Sequence, residues 1–133
     1  MTNKLFILNF VRGVEHMKIG VLLLTGPYQH QASDTAYNFI KAALKKGHEI
    51  AGVFLYTDGI NNINSKITPP GERNIAERWS EIGALGIKVY ACVACSKFRG
   101  LKKEDAIKNT KITGLGKLVD IMEESDRFIT FGG

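Results

Sequence analysis

The chain has 133 residues, of which 44% are apolar and 23% charged, and it carries a formal net charge of +5. That length makes one domain, able to bury roughly two-thirds of its unfolded surface without staples, and the composition argues against disorder. The basic balance suits an anionic partner (an acidic protein, an oxyanion or nucleic acid) without choosing among them, and apart from Lys97, Arg99, Lys102 and Lys103 the cations are scattered as on a solvated face.

Residues 5–11 are apolar but too few to span a bilayer, and no small-residue cleavage site follows them. Met17 offers a second plausible start. Residues 1–16 therefore read as an N-terminal extension: an added strand, a partner-binding arm, or sequence preceding the true start. Residues 18–25 form a continuous apolar run rich in β-formers, the pattern of a strand buried on both faces. Gly26-Pro27 ends it. Residues 33–46 repeat Ala36, Phe39, Ile40, Ala43 and Leu44 at helical spacing, with Ser33 or Asp34 as cap and Gly47 as stop.

Residues 49–57 make a second strand, followed by a polar loop over 58–71. A helix fits 72–84, with Ile75, Trp79 and Ile82 on one stripe; Trp79 reads as core or subunit interface. Residues 87–94 are a third strand carrying Cys92 near its carboxyl end. A short helix is expected over 103–109. Another is expected over 114–124, capped by Thr113, with Leu115, Leu118, Val119 and Met122 inward. Residues 127–131 form the last strand.

Strands alternating with helices predict a single α/β domain with a mainly parallel sheet of four to five strands and helices on both faces, a flavodoxin-like three-layer arrangement. Ligands in such sheets gather outside the carboxyl ends of the strands, at the switch in strand order. Three loops, 25–32, 57–71 and 92–102, belong to that edge, so a site there would contain Cys92 and expose it to reactants.

Two cysteines, Cys92 and Cys95, are too few for a secreted disulfide framework, so the chain reads as cytoplasmic with reduced thiols. Cys92 can be a small buried hydrophobe. It can equally be a nucleophile, its thiolate favoured by Lys97, Arg99 and nearby backbone N–H groups. Cys95 completes a C-x-x-C. Structural zinc lacks a second cysteine pair, and His16, His30 and His48 lie apart as surface residues. A dithiol redox pair, a resolving thiol and a second acceptor all remain open for Cys95. The turn at Gly26, Pro27 and Tyr28 could hold an anion or be a plain connection. Gly114-Leu115-Gly116-Lys117 lacks the spacing of a phosphate loop, and no dinucleotide fingerprint or hydrolase elbow is present.

Several segments resemble the DsrE/TusD-like sulfur-transfer family. Leu24-Thr25-Gly26-Pro27-Tyr28 with Gln31-Ala32-Ser33 is one. Gly47-His48-Glu49, then Val53-Phe54-Leu55-Tyr56 and Asp58-Gly59-Ile60-Asn61-Asn62, are others. Cys92-Val93-Ala94-Cys95 with Arg99-Gly100, and Thr113-Gly114-Leu115-Gly116, complete the set. The likeness covers residues 17–131 in the same order, which makes 17–133 the domain. It implies a cysteine, here Cys92, that accepts sulfane sulfur and passes it between carrier proteins, in sulfur oxidation or tRNA thiolation. Nucleic acid is then met only indirectly, and no metal, organic cofactor or membrane is required. Homotrimers, homohexamers or related hetero-oligomers are implied. Members without the cysteine are structural subunits, so an inert scaffold or small-ligand subunit is the alternative. Catalytic candidates are Cys92 and Cys95; substrate-binding candidates are Gly26, Pro27, Tyr28, Asn61, Lys97 and Arg99. Cys95 and residues 1–16 depart from the family's simpler pattern.

Overall fold

The computed structural model describes residues 16–133; the expectations for 1–15 lie outside the described residues. In chain order the elements are β1 (Lys18–Leu23), α1 (Ala32–Lys45), β2 (Glu49–Leu55), a 3-10 segment (Thr57–Ile63), α2 (Ile75–Ala84), β3 (Val89–Cys92), α3 (Val93–Phe98), a 3-10 turn (Lys103–Asp105), β4 (Lys111–Thr113), α4 (Gly116–Glu124) and β5 (Arg127–Phe131). The strands make one five-stranded sheet in the order β4-β3-β2-β1-β5, and every pairing is parallel.

Three crossovers step one way, from β1 to β4, and the last returns to the far side of β1. Right-handed crossovers then put α4 on the face opposite the other helices. The larger core lies under α1 and α2, where Val21, Leu23, Val53, Leu55, Ile40 and Trp79 are sealed from solvent. Trp79 is core, and its indole N–H donates to Ser33 Oγ at 3.2 Å.

The other face is built around one isoleucine. The β1–β2 register slips by one residue, so Ile19 faces Ile50 but Gly20 faces Gly52. The slip sets two glycines side by side under Ile121 of α4. A Cβ on Gly52 would lie 2.7 Å from Ile121 Cγ1, and one on Gly20 would lie 2.7 Å from Phe128 Cδ1. Only hydrogen leaves room for the helix to seat this closely. Seating through Ile121 corrects the expected inward stripe: Leu118 is half-buried, while Leu115, Val119 and Met122 are each about half exposed.

Other expectations also change. α1 begins at Ala32, with Gln31 rather than Ser33 or Asp34 at the cap position. Asp34 instead accepts from Arg73 Nε at 2.9 Å and Arg78 Nη1 at 2.8 Å, tying α1 to the start of α2. The Arg73 hydrogen bond, helped by the charges of Arg73 and Arg78, holds the Asp34 carboxyl below its ordinary range, against the burial that raises it. His48 is half-buried and accepts the Met17 N–H at 3.2 Å. The helix expected over 103–109 is only a single 3-10 turn, and three residues after it add β4. The polar loop expected over 58–71 begins with a packed segment, in which Ile60, Asn62 and Ile63 are sealed from solvent. No helix among the described residues is long and apolar enough to cross a membrane.

Gly52→Val should lower the urea midpoint by an amount equivalent to about 1–3 kcal/mol, with an unchanged denaturant slope. An unchanged midpoint would show that α4 does not depend on this contact.

Candidate functional site

β3 passes into α3 with no linker. Cys92 is the last residue of the strand and also the cap residue of the helix, with extended backbone at φ −61° and ψ 125°. A short polarizable side chain at a cap position can fold back over the first turn, as Ser or Asp does. Cys92 Sγ accepts the Cys95 N–H at 3.4 Å, and its carbonyl accepts from Ser96 Oγ at 2.7 Å. This junction was not legible from the sequence, which placed the strand's end at residue 94.

The 3-10 segment forms the facing wall. Thr57 donates its N–H to Cys95 Sγ at 3.2 Å. Its backbone is left-handed (φ +51°), a strained conformation for a β-branched residue, and its hydroxyl proton is shared between the carbonyls of Leu24 and Tyr56, each 2.6 Å away. Gly59 lies flat on the end of β1: a Cβ there would fall 2.1 Å from the Leu23 carbonyl oxygen. Asn62 Nδ2 donates to Thr25 O and Gly59 O, fastening the segment to the loop after β1. Arg99 closes the outside: its Nε donates to Asp58 Oδ1 at 2.6 Å and its Nη1 to Cys95 O at 3.1 Å.

Both thiols are free and buried. Cys92 is 1% exposed and Cys95 8%. The expectation that Cys92 is open to reactants is therefore not met in the single chain, because the 3-10 segment occupies space that a polar loop would have left open. Burial pushes the Cys95 thiol up, and the adjoining Cys92 thiol adds to this. The Thr57 N–H and, less strongly, Arg99 act in the opposite direction.

The predicted binding residues divide. Gly26 packs against the 3-10 segment, where an added Cβ would lie 3.3 Å from Asp58 O and 4.0 Å from Asn61 Cβ. The loops after β1 and β2 therefore do meet. Pro27 is half-buried in the same loop. Tyr28 turns away: its hydroxyl donates to Arg73 O and accepts the Ile75 N–H, bracing the start of α2. Arg99 is at the cysteines, but its Nε and Nη1 are occupied by protein partners. Lys97 is exposed on α3 beside Phe98, whose ring is 89% exposed. Thr57, Asp58, Asn62 and Ser96 complete the site and were not anticipated. Asp58-Gly59 carries a turn signal, but nothing in the sequence announces a positive φ at Thr57.

The strand order also moves the expected crevice. The switch lies between β1 and β5, two strands from β3. It is filled, because a Cβ on Gly132 would lie 2.8 Å from Thr25 Cγ2. Cys92 therefore sits at the carboxyl edge but not at the switch. Among the described residues no group of three or more His, Cys, Asp or Glu is placed to hold a metal ion.

Comparisons agree with this architecture. The model of the DsrE/DsrF-like family matches residues 17–131. The DsrE protein of Allochromatium vinosum is 44% identical over 129 aligned positions, covering 87% of this chain and 99% of that protein. Sulfurtransferase TusD of Proteus mirabilis is 33% identical over 124 positions, covering 83% and 95%. The crystal structure of the ychN protein from E. coli superposes with a TM-score of 0.77 at 21% identity, covering 86% of this chain and 98% of that one. With the family model matched over residues 17–131 and relatives 33–44% identical along nearly their whole length, the chain belongs to the DsrE/DsrF-like family.

Proposed function

We propose that this protein relays sulfur, and that Cys92 accepts sulfane sulfur from a donor persulfide or thiosulfonate and hands it to a thiol on a small carrier protein. One observation carries this reading: the Cys92 sulfur stands at the β3–α3 junction on the carboxyl edge of the sheet, hydrogen-bonded by a helix N–H that also suits a thiolate. The sulfurtransferase name of the TusD relatives supports it. In the transfer, the Cys92 thiolate attacks the outer sulfur of the donor persulfide. A new S–S bond forms, and the donor thiolate leaves with the electrons of the old one.

The loop bearing Gly26 and Pro27 and the 3-10 segment bearing Asn61 would shelter the adduct, with Lys97 as an approaching cation; Tyr28 has no part in it. Residues 17–133 form the working domain, in the reducing cytoplasm. The same chemistry serves sulfur oxidation or tRNA thiolation. A catalytically inert subunit is the competing reading, and the 1% exposure of Cys92 favours it.

Intact-mass analysis after incubation with inorganic polysulfide should show an adduct about 32 Da heavier that maps to Cys92 and is absent in Cys92→Ser. No adduct, or one that persists in that variant, would favour the inert subunit.

A trimer or hexamer belongs to the same proposal, with the exposed stripe Leu115, Val119 and Met122 as a face for a second copy. Sedimentation should then give an oligomer that Val119→Glu weakens; a wild-type monomer would contradict it.

A further inference from the structure

We infer that Cys95 is the resolving thiol for Cys92: its sulfur attacks Cys92 Sγ of the loaded persulfide, closing a Cys92–Cys95 disulfide and expelling hydrosulfide. This rests on the reading that Cys92 is loaded, and it adds a fate for the sulfur when no carrier arrives.

The geometry supplies the reasons. Cys92 is the cap residue of α3 and Cys95 its third residue, so the cap side chain folds over the backbone of the other; Cys92 Sγ already lies 3.4 Å from Cys95 N. Cap and third residue of a helix have Cα atoms about 5–6 Å apart, inside the range a disulfide spans. The bond can therefore close without dismantling the helix. No other cysteine exists in the sequence, so only Cys95 can resolve Cys92 within one chain. The Thr57 N–H points at Cys95 Sγ from 3.2 Å, and Arg99 Nη1 donates to the carbonyl of the same residue. Both stabilise negative charge on the attacking sulfur.

The step balances without an outside oxidant. The Cys95 thiol passes its proton to the terminal sulfur of the Cys92 persulfide anion, and its thiolate forms a bond to Cys92 Sγ. The bond between Cys92 Sγ and the sulfane sulfur breaks, and the sulfane sulfur leaves with both electrons as HS⁻. Sulfane sulfur is reduced to sulfide while two protein sulfurs are oxidised to the disulfide. Burial pushes the Cys95 thiol up, which disfavours the attacking thiolate, and a carrier that reaches Cys92 first collects the sulfur. Once closed, the disulfide bars Cys92 from further loading until a thiol reductant reopens it. The pair thus limits the lifetime of a loaded protein.

The test loads the full-length protein with inorganic polysulfide, removes the excess, and follows intact mass, released sulfide and a non-reducing peptide map. Wild type should pass from about 32 Da heavier to about 2 Da lighter, with a peptide joining residues 92 and 95. Cys95→Ser and Cys95→Ala should keep the Cys92 adduct about tenfold longer and yield no lighter species. Equal adduct lifetimes in wild type and both variants, or loading without a 92–95 link, would overturn the resolving role and leave Cys92 as acceptor. No loading in any form would overturn both. Diamide, reduced to its hydrazine as it oxidises two thiols, tests the pairing without loading. Folded wild type should link 92 to 95; failure to do so overturns the inference.

Discussion

Gly59 rests its bare Cα against the Leu23 carbonyl, and the rest of the carboxyl edge is arranged around that contact. Because no side chain intervenes, residues 57–63 lie flat over the ends of β1 and β2 instead of arching into solvent. Ile60 and Ile63 fill the space beneath, and Asn62 bonds the segment to the loop after β1. The same placement forces Thr57 into left-handed backbone and aims its N–H at Cys95. Arg99 then locks the segment to α3 from outside through Asp58.

This arrangement explains how two thiols at the functional edge of an open sheet come to be shut away. Their surroundings combine low polarity with a few directed donors: the Cys95 N–H on Cys92 and the Thr57 N–H on Cys95. Such donors are strongest where water is excluded. Under the proposed function, a persulfide held there would be shielded from stray thiols, and reactants would have to wait for the wall to yield. Under the same proposal, exposed Lys97 at the rim would favour anionic donors, while Arg99 is held by Asp58.

The sequence was informative where one periodicity ran long enough to be read. β1, α1, β2 and α2 emerge within a few residues, because buried parallel strands and one-sided helices leave unambiguous patterns over six residues or more. It was uninformative where tertiary context decided. β4 has three residues, and pairing with β3 alone makes it a strand. Residues 57–63 look polar, yet Gly59 allows them to pack. On α4 the apolar residues share one face of roughly 160° at 3.6 residues per turn, and the glycine pair at positions 20 and 52 selects Ile121, at one edge of that face, as the inward one. The placement of Cys92 near the carboxyl end of a strand and the nearness of Cys95 in sequence were legible. The burial of both, the bracing role of Tyr28 and the Arg99–Asp58 clamp depend on backbone geometry that no local pattern encodes.

If Cys92 works from behind this wall, the segment 57–63 must open without the whole chain unfolding. Alkylation of Cys92 in the native protein, followed as urea is raised from zero, measures that opening directly. Labelling should proceed far faster than global unfolding permits and respond weakly to low urea, since a local opening exposes little surface. Labelling that follows global unfolding at every urea concentration would contradict the account and leave Cys92 an ordinary core residue.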